Sequence, residues 1–458
     1  MTPHPKPAAS VYANPLLWML SAAYACNYMD RSVVGTLAQA IKLDLLLNDT
    51  QIGLLQGFSF VILYSVAGLP LSRLAERFNR INIISICLVA WSGMTMLCGA
   101  AQGFLQLLLF RVGVGVGEAG CNPCSHSMIA DAVAPSERSR ALSIYQIGAT
   151  VGTASGAVIA GYVSEAFGWR AAFLVVGVPG LLVAAVMRLF AKDPPRTQAA
   201  GVAESPHASQ IGRVLPKLLR SPAAVHIVLG FTLVSFAGAG VSSFAQPYLV
   251  RVFALSYGQV GLVMGLTGGL ASATSLVLIG RVTDYATRRD VRWHAWIPLI
   301  GITIAALFAV MFYFARAWQL AVVCSFCTTF FSSWFILPSL SALHKILGPR
   351  MVATGMALVL MFQNLVGLGG GPYLAGVFID AFSQRLFSGA GLLRFAQACP
   401  GGVARAAAPA LQHACHVALV GGTRLGLLCI TVFFLWAAFH FAMATRPVRR
   451  ELAEGGAA

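Results

Sequence analysis

Apolar residues collect into twelve runs, near 16–41, 52–72, 81–101, 104–130, 140–163, 170–190, 222–247, 258–280, 294–314, 318–341, 352–377 and 422–444. Each run holds about 20 residues or more, enough for a helix rising about 1.5 Å per residue to cross a hydrocarbon layer of about 30 Å. The pattern predicts an all-α membrane protein with twelve transmembrane helices. The only long polar interruption begins at Lys192-Asp193-Pro194-Pro195-Arg196 and runs to about Arg220. It divides the chain into a six-helix unit (1–190), a cytoplasmic linker (191–221) and a second six-helix unit (222–458) that includes an outer loop (380–421).

Composition agrees with lipid as the solvent. Of 458 residues, 58% are apolar and 10% charged, against roughly 25% charged in soluble domains. The 46 Gly and 21 Pro sit within the apolar runs, where membrane helices tolerate both. A net charge of +16 raises the question of nucleic acid, but the placement of the charges answers it. Taking the connections alternately, the set that includes both termini holds 21 of the 31 Lys and Arg, the opposite set holds 8, and Arg31 and Arg111 lie within spans. Basic excess in short loops marks the cytoplasmic side. Both ends are therefore expected in the cytoplasm, in a cell inner membrane, with no nucleic-acid partner and no cleavable leader.

Six spans plus six invites a search for a repeat. After the second span comes Ser72-Arg73-Leu74-Ala75-Glu76-Arg77-Phe78-Asn79-Arg80, and after the eighth Gly280-Arg281-Val282-Thr283-Asp284-Tyr285-Ala286-Thr287-Arg288-Arg289. Each places a small residue, an acid four positions on and a base four beyond. A weaker echo relates Pro135-Ser136-Glu137-Arg138 to Gly348-Pro349-Arg350. These loops resemble the signature of the major facilitator superfamily, with departures at Ser72, Glu76, Asn79 and Tyr285. The resemblance implies two pseudo-symmetric six-helix bundles and an inner-gate latch made by Glu76, Arg77, Arg80, Asp284, Arg288 and Arg138.

The first half carries a narrower likeness. Asn27-Tyr28-Met29-Asp30-Arg31, Gly53-Leu54-Leu55-Gln56-Gly57-Phe58, Arg111 through Gly120, Asp131-Ala132-Val133-Ala134-Pro135, Phe167-Gly168-Trp169-Arg170 and Gly177-Val178-Pro179-Gly180 together resemble the Spinster branch of that superfamily. For animal members the likeness implies carriage of lysophospholipids or of sphingoid lipids such as sphingosine 1-phosphate.

Asp30, Arg31, Arg111 and Glu118 lie inside spans one and four. A charge at membrane depth costs a few kcal/mol or more, so each needs a partner or a wet cavity. Helical rise sets Asp30 roughly 22 Å along span one and Arg111 near the same level, which predicts that they pair if the helices face each other. Glu118, two turns after Arg111, points into the same space. Desolvation disfavours a carboxylate's charged form and a nearby arginine favours it, so an anionic ligand that draws the arginine away makes the acid easier to protonate. These four residues are the candidates for proton coupling and substrate binding. In the second half Tyr248, Trp334, Gln363 and Asn364 are candidates for lining the cavity.

Other motifs are weaker. The Gly-x-Gly pattern of span four follows no strand and reads as helix packing rather than a nucleotide loop. Cys121/Cys124 and Cys324/Cys327 have zinc-like spacing but sit in apolar runs and read as buried thiols, so no metal is expected. Cys399 and Cys415 lie in the long outer connection, where a disulfide, free thiols or a metal site with His413 and His416 are the alternatives. His126 and Asp131 match the H-x4-D spacing of membrane acyltransferases, without the phosphate-binding motif such an enzyme needs.

The sequence therefore reads as a non-enzymatic secondary carrier without cofactors, a monomer moving lysophospholipid or sphingoid-type anionic amphiphiles with protons by alternating access. A proton-linked drug or organic-anion porter is the alternative, and a membrane acyltransferase a remote third.

Overall fold

The computed structural model describes residues 11–196, 208–349, 351–388, 394–404 and 408–454. The middle of the linker, Arg350 and two stretches of the outer loop lie outside the described residues. Among the described residues all regular structure is helical.

The first six passes are α1 (Pro15–Asp44), α2 with α3 (Asp49–Gln56, Phe58–Arg77), α4 (Arg80–Gly99), α5 with α6 (Phe104–Glu118, Cys121–Ala132) and α7 (Arg138–Phe190), which supplies two. A connector helix, α8 (Ala208–Arg220), leads to the rest. These are α9 (Pro222–Phe253), α10 (Tyr257–Arg289), α11 (Trp293–Phe314), α12 with α13 (Trp318–Ser332, Ile336–Leu347), α14 with α15 (Val352–Phe362, Gly370–Leu386) and α17 (Pro409–Glu454). The short α16 (Phe395–Ala398) lies in the connection before α17. Ten segments are long and apolar enough to cross a bilayer. One of them is α7, folded at Gly168, and α1, diluted by Asn27, Asp30 and Arg31, completes twelve.

Gly168 makes that corner with φ +82° and ψ 161°, a region open essentially to glycine alone. Nothing lies within 4 Å of where its Cβ would stand, so Gly168→Ala meets backbone strain but no clash. We expect it to lower stability by about 1–3 kcal/mol, read from melting in detergent. An unchanged midpoint would show that the corner relaxes.

Several passes are broken where they meet the centre. The second breaks at Gly57, the fourth after Glu118, the tenth at Ser333–Phe335 and the eleventh in a π-helical stretch, Gln363–Gly369. Such breaks occur inside a membrane where backbone is covered by protein or lines a cavity. Two of them touch: a Cβ on Gly57 would stand 2.2 Å from the carbonyl oxygen of Gly369.

Glycines also set how closely α1 and α7 approach. Cβ atoms on Gly148 and Gly152 would stand 2.2 and 2.1 Å from the backbone oxygens of Ser21 and Ala25. Between the halves, Gly161 and Gly261 play the same part where α7 crosses α10. The two bundles thus meet backbone to backbone over the half of the membrane away from the termini.

Candidate functional site

Three helices converge on the charged cluster. Asp30 and Arg31 come from α1, Arg111 and Glu118 from α5, and Phe60 from α3 stands between the arginines. The Arg31 Nε donates to Glu118 Oε2 at 2.9 Å. Its guanidinium carbon lies 4.5 Å from the Phe60 ring centroid, and that of Arg111 lies 5.9 Å from the same ring. Asp30, Arg111 and Glu118 are buried at 1%, 3% and 0% exposure, while the Arg31 side chain is 27% exposed.

The helical rise makes Arg111 the expected partner of Asp30 if their helices face each other. They are near enough to interact electrostatically, and Thr95 stands beside Asp30, but the ion pair forms between Arg31 and Glu118 instead. One Asp30 carboxylate oxygen and the Nε and Nη1 of Arg111 have no hydrogen-bond partner among the described residues. A buried arginine with two free donors is an anion receptor in waiting, because an unmet donor in a dry site costs about 1–3 kcal/mol.

The second half carries an aromatic cluster. On the tenth pass and its neighbour α11, Phe330, Phe331 and Trp334 pack at tilted and edge-to-face angles with centroids 5.1–6.2 Å apart, and Phe308 stacks on Phe331. Trp334 and Asn364 are half-buried and Gln363 is buried, the last two beside the π-helical stretch. Tyr248 is a correction to the expected lining: it is 0% exposed, with its hydroxyl donating to the Tyr313 carbonyl at 2.9 Å. Its ring fills the core between α9 and α11.

Of the expected latch, Arg80 and Arg138 are a second correction. Glu76, Arg77, Asp284 and Arg288 are exposed, and no ion pair links these loops among the described residues. Arg80 works within the first half. Its guanidinium, 1% exposed, bonds Asp131 at 2.5 Å and Asp193 at 2.7–2.8 Å, tying α4 to α6 and to the chain after α7. Arg138 donates to the Ala130 carbonyl at 2.8 Å. Asp131, engaged by Arg80, does not orient His126 as an acyltransferase would require.

The ionic closure is at the far face, away from the termini, among residues the sequence reading passed over. Arg251 at the end of α9 bonds Asp49 at 2.5 Å, Gln39 at 2.7 Å and Thr423 at 2.9 Å, and Lys42 bonds the other Asp49 oxygen. All five are buried. Two carboxylates then cap helices of the opposite half. Asp380 of α15 accepts from the Asp49 and Thr50 amides at the start of α2, at 3.0 and 2.8 Å. Glu165 of α7 accepts from the Gly258 amide and the Ser256 hydroxyl at the start of α10, both at 3.1 Å. A carboxylate on a helix N-terminus is favoured by both amides and dipole. These caps are related by the repeat, since α2 and α10 begin equivalent passes.

Cys399 and Cys415 form a disulfide that holds the outer connection to α17. Gly401, with φ +69°, then lies over the Lys42 carbonyl and covers the closure.

The sequence pattern of the Major Facilitator Superfamily matches residues 20–293. An MFS-type efflux pump of Mycolicibacterium smegmatis is 31% identical over 369 residues, covering 80% of this chain and 85% of that protein. Protein spinster homolog 1 of Xenopus tropicalis is 29% identical over 383 residues, 78% of this chain and 71% of that one. The sphingosine-1-phosphate transporter SPNS2 of the same species is 26% identical over 384 residues, 80% and 74% of the two chains. Among solved structures, a bacterial homolog of the human lysosomal transporter Spinster, inward-facing and unoccupied, superposes with a TM-score of 0.86 at 29% identity over 97% of this chain and 99% of that one.

Proposed function

Because the chain belongs to the Major Facilitator Superfamily and is a multi-pass membrane transporter similar to its Spinster branch, we propose that it carries anionic amphiphiles of lysophospholipid or sphingoid type in exchange or symport with protons. The observation that carries this reading is Arg111, buried with two free donors beside the Arg31–Glu118 pair and Asp30. A phosphate entering the chamber satisfies Arg111 and competes with Glu118 for Arg31. In this reading the aromatic cluster of the second half gives an alkyl chain apolar contact, so the two clusters suit the two ends of an amphiphile.

In this reading the termini face the cytoplasm of a cell inner membrane, and the six-helix units 1–190 and 222–458 rock about the 191–221 linker as a monomer. The far-face closure then corresponds to an inward-open state. Closing the cytoplasmic side would bring Glu76 and Arg77 toward Asp284 and Arg288, the exposed members of the latch implied by the repeat.

Uptake of a fluorescent lysophospholipid into reconstituted vesicles tests the site. We expect Arg111→Gln to lower the rate at least tenfold, and Arg111→Lys, which keeps charge but loses the two-donor fork, to recover part of it. Equal rates for Arg111→Gln and wild type would remove the proposed substrate site. The efflux-pump relative favours the second reading, a porter of drugs or small organic anions, and in that case such anions outcompete the lysolipid in the same assay.

A further inference from the structure

A cavity of about 440 Å³ opens where α13 gives way to α14, at the membrane face that carries the termini. Val352, Ala353, Met356 and the Gly348-Pro349 turn line it, and its two polar side chains, His344 and Lys345, are both bases. Lys345 is held by a neutral partner. Its Nζ lies 3.1 Å from Nε2 of His294, whose Nδ1 lies 3.2 Å from the Pro338 carbonyl oxygen. A carbonyl only accepts, so Nδ1 carries the ring proton and Nε2 accepts from the ammonium. His294 is 0% exposed, so packing fixes the ring, and the ring positions the lysine without cancelling its charge. No carboxylate pairs with Lys345 among the described residues, and two ammonium protons remain beyond the bond to His294.

The connector helix α8 stands beside this cavity. Its Lys217 donates to the Leu347 carbonyl at the end of α13 at 3.1 Å. Val214 and Leu218 of α8 are buried with Leu347 in an apolar cluster against which Val352 and Met356 also pack. Successive residues turn about 100° around a helix, which puts Leu215 and Leu219 on the next face, 46% and 66% exposed, and Arg213, Lys217 and Arg220 on a third. A helix with an exposed apolar face and a basic one belongs at the boundary between acyl chains and anionic head groups.

We propose that this cavity holds the head group of an anionic diacyl phospholipid drawn from the leaflet around it, the phosphate on Lys345 and the glycerol end against Val352 and Met356. Charge and lining together choose the occupant. The bases call for an anion, while the apolar lining and the outward leucines of α8 call for one that carries acyl chains, which a free phosphate does not. Because His294 is neutral, the site keeps a net positive charge until the lipid arrives, so a zwitterionic phospholipid answers it less well. Binding there anchors to the leaflet the corner where the connector joins the second half. This site lies outside the chamber of Arg111 and Glu118 and does not depend on what that chamber carries.

Native mass spectrometry of the full-length protein in detergent, after incubation with equimolar dioleoyl-phosphatidylglycerol and dioleoyl-phosphatidylcholine, reads which lipid is retained. Wild type is expected to keep phosphatidylglycerol over phosphatidylcholine by at least about tenfold. Lys345→Gln, whose amide still donates to His294, is expected to bring that preference within about twofold, and Lys345→Arg to preserve it. Ala353→Glu sets an acid at an exposed lining position in the first turn of α14, where the helix dipole favours it, and is expected to remove the preference without loss of fold. Arg111→Gln is expected to leave it in place, which separates this site from the central chamber. No preference in wild type, or a preference that survives both Lys345→Gln and Ala353→Glu or that disappears with Arg111→Gln, overturns the proposal. So does release of the lipid by millimolar inorganic phosphate but not by sodium chloride of equal ionic strength, which would assign the cavity to a soluble anion.

Discussion

Glu118→Gln is expected to remove the pH dependence that the proposed coupling gives transport and to lower the rate at least about 100-fold, equivalent to about 2.7 kcal/mol on the barrier. Glutamine keeps the shape and can still accept from Arg31, so packing is retained. It neither carries a proton nor balances the guanidinium, leaving Arg31 as uncompensated charge in a closed chamber. The variant should therefore hold its ligand without releasing it on a change of pH. Reconstituted vesicles with an imposed pH gradient and an internal pH dye give the measurement. Asp30→Asn is expected to act in the same direction, because Asp30 shares the field of Arg111, Arg31 and Glu118. A wild-type pH response in both variants would remove proton coupling from this cluster.

Arg251→Ala opens the far face. This guanidinium joins α9 to α1, α2 and α17 through Gln39, Asp49 and Thr423, and it is the contact by which the second half grips the buried acid of the first. Removing one member of a buried ionic network costs about 3–5 kcal/mol. At about 1.4 kcal/mol per tenfold, a loss of this size takes two states at 1:99 to about parity or beyond, which repopulates the open form. Spin labels at Gln102→Cys and Ala317→Cys, on far-face connections of the two halves, should move from one short distance toward a longer one. An unchanged distribution would mean that the Asp380 and Glu165 caps and the glycine contacts hold the closure without Arg251.

The far-face residues show why part of the mechanism escaped the sequence reading. Lys42, Asp49, Arg251 and Asp380 stand at the ends of passes, where a charge ordinarily meets water and calls for no explanation. Their positions gave one usable signal, two acids and two bases within a turn or two of the same membrane level on four passes. Their burial depends on which passes are neighbours, and hydropathy carries no information about that. The tyrosines around Arg31 had a weaker signal still: Tyr24, Tyr28, Tyr64 and Tyr145 are scattered over three apolar runs, where tyrosine is unremarkable.

What the sequence determined by itself was one-dimensional: twelve passes, the common side of both termini in the charge count, the repeat of halves, and the presence of four ionisable groups at membrane depth. The bilayer enforces these locally, since every pass must be about 20 residues of satisfied backbone and every buried charge must be compensated. Only the tertiary structure decided which charge meets which. Asp30 and Arg31 are neighbours in sequence yet point about 100° apart around α1, so the orientation of α1 chose Arg31 for Glu118 and left Arg111 with donors to spare, while that of α9 made Tyr248 core rather than cavity wall. Helix rotation and neighbour choice are settled by backbone contacts such as Gly152 on Ala25, whose energies belong to pairs of distant residues and to no single stretch of chain.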